Sequence, residues 1–270
     1  MNADTKIKEL KVKTALSPSQ LPGLDYALNP YRGCAHACAY CYAPSVIHYK
    51  GKWGELVEVK VNLPRVLSKE LRAKKKGVVG FGTVTDPYQP AEKKYEITRR
   101  CLELLLMHDF PVCIQTKSSL VLRDVELLKQ FSNVEVGMTL TALDDGVRAE
   151  MEPGASSVEE RMLALKELGK NGINTWVFLG PVMPYFTDIE ALVDAIAEAK
   201  PRYVLVDKLR LKEGVWERVG EFVKGFKPEL LPEYERIFLK KEDYYSGIFE
   251  RVLRRCEEKG LRCEVNRLVN

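Results

Sequence analysis

The sequence predicts an α/β protein built from six βα units, and three observations predict it. From Ala73 onward, short apolar or β-branched runs alternate with amphipathic stretches, the pattern of parallel strands joined by helices. Helix starts between these runs carry their own signals, since Ser157-Val158-Glu159-Glu160 and Thr187-Asp188-Ile189-Glu190 both have the form of capping boxes. A chain of 270 residues also has room for an α/β barrel, although two of the units of an eight-fold barrel are missing.

Taken in order, residues 26–28 form a first strand that enters a cysteine-rich loop, and residues 77–81 form the second. Ile97, Cys101, Leu104, Leu105 and His108 then recur at helical spacing, so Cys101 belongs to the core face of a helix. Residues 111–116 and 134–140 are strands three and four, and Cys113 falls inside an apolar strand. After Ser157 an apolar face runs through Val158, Met162, Leu165 and Leu168. Strand five covers residues 173–179. After Thr187 the face runs through Ile189, Leu192, Val193 and Ile196, and residues 203–206 make strand six.

After Lys208 aromatic residues are scattered among charges: Trp216, Phe222, Phe226, Tyr234, Phe238, Tyr244, Tyr245 and Phe249. This part is expected to close the open side or base of the barrel. Tyr245, Ile248, Val252 and Cys256 form one helical stripe, and Leu261, Cys263 and Val265 alternate as a short strand, so both late cysteines are packed. The division is an N-terminal extension over residues 1–24, a core over 25–208, and an α-rich extension over 209–270.

Composition narrows the class. Apolar residues make up 46% and charged residues 30%, which is globular rather than disordered. A net charge of +4 permits a polyanionic partner without requiring one, and the cluster Lys69, Arg72, Lys74, Lys75 and Lys76 suits a solvated helix face equally well. Residues 1–13 lack the apolar stretch of a secretory signal, and no run approaches a membrane span. Seven cysteines, an odd number, suit the reducing cytoplasm.

Three of them stand together: Cys34-Ala35-His36-Ala37-Cys38-Ala39-Tyr40-Cys41. Three neighbouring thiolates cannot all pair as disulfides, and they repel unless a cation or an iron-sulfur cluster shares their charge. Iron-sulfur clusters normally take four cysteines, and three leave one iron open to another ligand. A structural zinc ion is the alternative, with His36 or His48 as fourth ligand. His36 otherwise reads as a solvent-facing or hydrogen-bonded loop residue.

The C-x3-C-x2-C spacing with Tyr40 before the last cysteine resembles the signature of radical S-adenosylmethionine (SAM) enzymes. The run Asn29-Pro30-Tyr31-Arg32-Gly33-Cys34, the segment 82–90, Thr116-Lys117-Ser118 and Arg123-Asp124 resemble the branch containing spore photoproduct lyase and its shorter DNA repair photolyase-like relatives. The resemblance covers residues 28–184. It implies a partial (β/α)6 TIM-like barrel, with the site at the C-terminal mouth of the strands.

The resemblance also implies roles. Cys34, Cys38 and Cys41 would bind three irons of a 4Fe-4S cluster, and S-adenosyl-L-methionine would chelate the fourth. Tyr40 would pack on the adenine, Thr85 and Asp86 would contact SAM with the carboxylate on the ribose diol, Lys117 would hold the SAM carboxylate, and Thr139 would add a hydroxyl. Tyr42 would serve in radical hydrogen transfer. The spore enzyme's partner cysteine is matched here by Thr83, whose O–H bond is too strong for that task, which argues against spore photoproduct repair. The implied enzyme takes one electron from a donor such as ferredoxin or flavodoxin and abstracts hydrogen from DNA or another nucleic acid. A peptide or small molecule as substrate, and a non-catalytic metal-binding module, are the alternatives. A basic groove formed by Lys50, Lys52 and Lys74 to Lys76 would mark the nucleic-acid reading. Glu92 reads as a first-turn helix residue rather than a mouth residue, and Glu152 and Arg161 as a structural pair around Pro153-Gly154.

Overall fold

A computed structural model describes residues 5–266, so the outermost residues of both expected extensions, 1–4 and 267–270, lie outside the described residues. The strands are β1 Lys6–Leu10, β2 Ser17–Pro18, β3 Tyr26–Leu28, β4 Tyr31–Arg32, β5 Leu56–Lys60, β6 Val79–Phe81, β7 Val112–Thr116, β8 Val134–Leu140, β9 Asn174–Val182, β10 Tyr203–Lys208 and β11 Cys263–Val265. The helices are α1 Ala43–Val46, α2 Leu63–Glu70, α3 Glu92–Tyr95, α4 Ile97–Met107, α5 Val125–Leu128, α6 Asp145–Met151, α7 Val158–Lys170, α8 Ile189–Ala199, α9 Val215–Phe226, α10 Leu231–Phe238 and α11 Tyr245–Glu258.

Six strands stand parallel in chain order, β3-β6-β7-β8-β9-β10, and each matches one of the expected βα units. The sheet is open, edged by antiparallel β2 on β3 and by parallel β11 on β10, which gives a partial barrel. Along β7 the residues Val112, Ile114 and Thr116 are buried, while Cys113 and Gln115 between them are half-buried. Val112 and Ile114 share a core with Cys101, Leu102 and Leu105 of α4, so the outer face of the sheet meets the helices.

The helices form where local chemistry satisfies their ends. Ser157 and Glu160 close a complete capping box on α7. The second expected box does not form. The Thr187 hydroxyl donates to the Thr141 carbonyl at 2.7 Å and accepts from the Met183 N–H, so Asp188, one residue later, caps α8 through the Ala191 N–H. Ile189, Leu192, Val193 and Ile196 are all buried beneath it, as their spacing requires. Glu92 is a first-turn residue of α3, and its buried carboxylate also accepts from the Thr98 and Arg99 N–H groups of the next helix.

Three features of the molecule bear on the sequence reading. The N-terminal segment is woven in: β1 runs parallel to β5, which pairs antiparallel with β4, and Glu70 accepts from the Ala15 and Leu16 N–H groups at 2.9 Å each. Lys74, Lys75 and Lys76 lie before β6 at the base of the barrel, where the Lys75 carbonyl accepts from Tyr26 and Lys76 pairs with Asp109. They therefore form no groove across the mouth. The C-terminal extension divides its work: α11 packs beside α8 through Arg251–Glu190 and Arg255–Asp194 pairs, whereas Phe222 of α9 and Tyr234 of α10 share a core with Cys38, Tyr40, Met183 and Phe186. Part of that extension thus covers the cysteine loop. Among the described residues no helix is long and apolar enough to cross a membrane.

Candidate functional site

The cysteine loop follows β4, and neighbouring segments hold it from several directions. Gly33 enters it at φ +85, and a Cβ there would lie 2.3 Å from the Leu56 carbonyl oxygen, so only glycine fits. The Gly33 carbonyl accepts from the Thr85 hydroxyl at 2.7 Å and from Gln89 Nε2 at 3.2 Å, and Gln89 Oε1 accepts from the Ala35 N–H at 2.9 Å. On the other flank, the Ala39 N–H donates to the Met151 carbonyl and the Gly154 N–H to the His36 carbonyl. Gly154 approaches so closely that a Cβ would lie 2.0 Å from the Ala35 carbonyl oxygen. From the C-terminal extension, Arg218 donates to the carbonyls of Ala39 and Cys41 at 3.3 and 2.5 Å.

Cys34 and Cys38 are buried and Cys41 is half-buried. Backbone N–H groups of His36 and Asp86 point at the Cys34 sulfur, and that of Ala43 at the Cys41 sulfur. Burial pushes the Cys34 thiol up to about 12 and raises those of Cys38 and Cys41, while the Lys117 ammonium opposes the rise at the latter two. Among the described residues no three His, Cys, Asp or Glu side chains are gathered closely enough to hold one ion. His36 is buried against Asp86, and His48 is exposed. A cubane spreads its ligands over separate irons. Three sulfurs on one loop, two of them receiving backbone N–H groups, fit a 4Fe-4S cluster held at three corners.

Lys117, one residue past β7, is half-buried. Its ammonium lies over the Tyr40 ring, 5.6 Å from the centroid, and makes no ion pair among the described residues. Burial alone would lower its pKa, but Cys38 and Cys41 in their thiolate form and the carboxylates of Glu152 and Asp86 raise it instead, so beside a charged cysteine loop the ammonium is the stable form. Tyr40 is buried. Its hydroxyl donates to Glu152, whose other oxygen accepts from Arg161, and Glu152 and Arg161 are 0% and 1% exposed. Arg161 also donates to the carbonyls of Ser156 and Thr139 at 2.9 and 3.1 Å. The expected Glu152–Arg161 pair is present, and it locks Tyr40 as well as the Pro153-Gly154 turn.

Asp86, expected to meet a ribose diol, is buried and bound to the protein on both oxygens. Its Oδ1 accepts from the Tyr88 N–H at 2.9 Å and the Thr116 hydroxyl at 2.7 Å, and its Oδ2 accepts from the Lys117 N–H at 2.7 Å and faces His36 Nδ1 at 3.3 Å. Three hydrogen bonds and the contact with the His36 ring thus hold the carboxylate in place. Burial alone would raise its pKa, yet the His36 ring, the Thr116 hydroxyl and the Lys117 N–H hold it down to about 2. Thr85 likewise spends its hydroxyl on Gly33, and it accepts from Gln89. Both residues brace the loop. His36 is buried, not solvent-facing, because its ring is the wall against which Asp86 rests.

Thr139, in β8, is buried, and its hydroxyl accepts from Gln115 Nε2 at 3.2 Å. Tyr42 is 43% exposed, and its hydroxyl donates to the Thr83 carbonyl at 2.6 Å, while the Thr83 hydroxyl is tied to Asn29. Gln89 and Arg218 were not singled out by the sequence reading. Gln89 lies within the segment 82–90 that carries the family resemblance, whereas Arg218 is 177 residues from Cys41 and has no local signal.

Comparisons with known proteins agree with this geometry. A family model described as Radical SAM superfamily matches residues 28–199. The chain is 38% identical to an uncharacterized protein of Methanocaldococcus jannaschii over 203 residues, 74% of this chain and 76% of that one. It is 28% identical over 184 residues to a protein of Pseudomonas phage M6 named a radical SAM Nalpha-GlyT isomerase, covering 66% of this chain and 38% of the other. Among solved structures, a spore photoproduct lyase variant with bound AdoMet and dinucleoside spore photoproduct aligns with a TM-score of 0.73 at 14% identity, over 96% of this chain and 81% of that one. With the partial barrel, the three-cysteine loop and a family match over more than half its length, this chain belongs to the radical SAM superfamily of enzymes, whose cofactors are a 4Fe-4S cluster and SAM.

Proposed function

We propose that Cys34, Cys38 and Cys41 ligate three irons of the cluster, that Lys117 receives the SAM carboxylate, and that the enzyme abstracts hydrogen from a nucleic acid. The observation that carries the cofactor assignment is the Lys117 ammonium, which stands beside the cysteine loop with no ion pair among the described residues. A cation so placed and so unpaired invites an anionic ligand. When bound, the cluster and SAM supply the 5'-deoxyadenosyl radical. The protein's own residues do the rest. Tyr40, fixed by Glu152, offers a ring that cannot swing away from the adenine, and Thr139 presents a hydroxyl near the same strand ends. Thr85 and Asp86 act at one remove, by holding the loop and the backbone of Lys117. Tyr42, exposed beside the last cysteine, would exchange hydrogen with substrate once its hydroxyl leaves the Thr83 carbonyl. The catalytic unit is residues 25–208, edged by the two extensions.

A nucleic acid is the proposed substrate because the fold is shared with an enzyme whose structure holds a dinucleoside lesion. Thr83 makes spore photoproduct repair itself a poor fit, since its hydroxyl cannot stand in for a thiol. The location of Lys74 to Lys76 at the barrel base favours the second reading, a peptide or small-molecule substrate, because it removes three of the five lysines of the expected basic groove. Superfamily membership sets aside a non-catalytic module. The cytoplasm, with a ferredoxin or flavodoxin as electron donor, is the proposed setting. The test is anaerobic incubation of the reconstituted enzyme, SAM and reductant with ultraviolet-treated and untreated oligonucleotides, followed by mass analysis. New nucleoside products support the nucleic-acid reading, and an unchanged profile with every oligonucleotide replaces it with the second.

A further inference from the structure

We propose that Arg218 sets the reduction potential of the cluster from the C-terminal extension. Arg218 is a residue of α9, far from the cysteine loop in sequence and against it in space. Its Nε and Nη2 donate to the carbonyls of Ala39 and Cys41, the residues that flank Tyr40 on either side. The guanidinium is only partly exposed and has no carboxylate within ion-pair distance among the described residues, although Glu217 and Glu221 lie on the same helix. Its charge is therefore uncancelled by any direct partner. The Val215, Val219, Phe222 and Val223 side of α9 is buried in the core that holds Cys38 and Tyr40, which fixes the helix and with it the guanidinium.

The physical consequence follows from the charge balance. Reduction adds one electron and therefore one negative charge to a cluster already carrying three thiolates. A fixed cation close to Cys41 favours the added charge, and net charge and solvent exposure are the levers that set such potentials. Arginine keeps its charge at any ordinary pH, so the effect is constant. Loss of the guanidinium should make one-electron reduction harder. Loosening of the loop alone has the opposite sign, because added water stabilises the more highly charged reduced state. The two roles of Arg218, electrostatic and purely structural, are thereby separable.

This inference rests on the assignment of Cys34, Cys38 and Cys41 as cluster ligands. Its test is the midpoint potential of the anaerobically reconstituted full chain without SAM, titrated with dithionite and read by electron paramagnetic resonance, with iron counted per chain. Arg218→Gln with full iron is expected to shift to a more negative potential, and Arg218→Lys, which keeps the charge but not the two-carbonyl fork, to fall between it and the parent. An unchanged or more positive potential in iron-replete Arg218→Gln overturns the proposal and leaves the ligand assignment standing. Failure of both variants to hold iron also overturns it, since Arg218 would then be a scaffold of the loop. Full iron retention in Cys38→Ala overturns the ligand assignment and this proposal together.

Discussion

Lys117 and Glu152 show how single residues shape this site. Lys117 supplies the unpaired cation, and a charge-assisted hydrogen bond contributes roughly 1.5–3 kcal/mol. Lys117→Met is therefore expected to weaken SAM binding by about 10- to 100-fold while iron content is unchanged, which equilibrium binding to the reconstituted protein would measure. Glu152 is bound on one oxygen by Tyr40 and on the other by Arg161, all buried. Removing one partner from a buried ion pair costs about 3–5 kcal/mol. Glu152→Gln should lower unfolding stability by that order in denaturant titration, and a Tyr40→Phe, Glu152→Gln double variant should lose less than the sum. Additive losses would show that Tyr40 is not held by Glu152. The pair was legible from sequence, whereas the bracing of Asp86 was not, because its hydrogen-bond donors Tyr88, Thr116 and Lys117 and its His36 contact come from three separate segments.

Elements were readable where periodicity and burial coincide. Strand β8 has the expected bounds, and its residues are buried except Glu135. Strand β9 runs on to Val182, beyond the expected end at residue 179, because Val182 still registers with Lys208 of β10. The small β1-β5-β4 sheet gave no signal: Lys6–Leu10 is almost wholly exposed, so it lacks the apolar alternation by which a half-buried strand is recognised. Its pairing is decided by partners some fifty positions away. Helix α8 is the strongest case in the other direction, with an expected apolar stripe that is fully buried. Ile196→Ala should cost about 2–5 kcal/mol by cavity formation, read as a lower midpoint in urea with an unchanged slope. A loss below 0.5 kcal/mol would mean that α8 is not part of the core.

At the scale of the whole molecule, the open barrel gathers four chain segments at the C-terminal ends of its strands. The cysteine loop, residues 83–86 after β6, Lys117 after β7 and the Glu152–Gly154 turn after α6 meet there, and α9 covers the loop from outside. Sequence motifs located the first three of these. The cover was invisible because amphipathic helices announce that they pack, not what they pack against. The measurement that tests the account most directly is the amount of 5'-deoxyadenosine formed per chain by the anaerobically reconstituted enzyme with SAM and dithionite, compared between the parent and Cys38→Ala. The parent should form it and the variant should form none. An iron-replete parent that forms no 5'-deoxyadenosine, or a variant that forms as much as the parent, would contradict the assignment of the cysteine loop as the seat of the cluster.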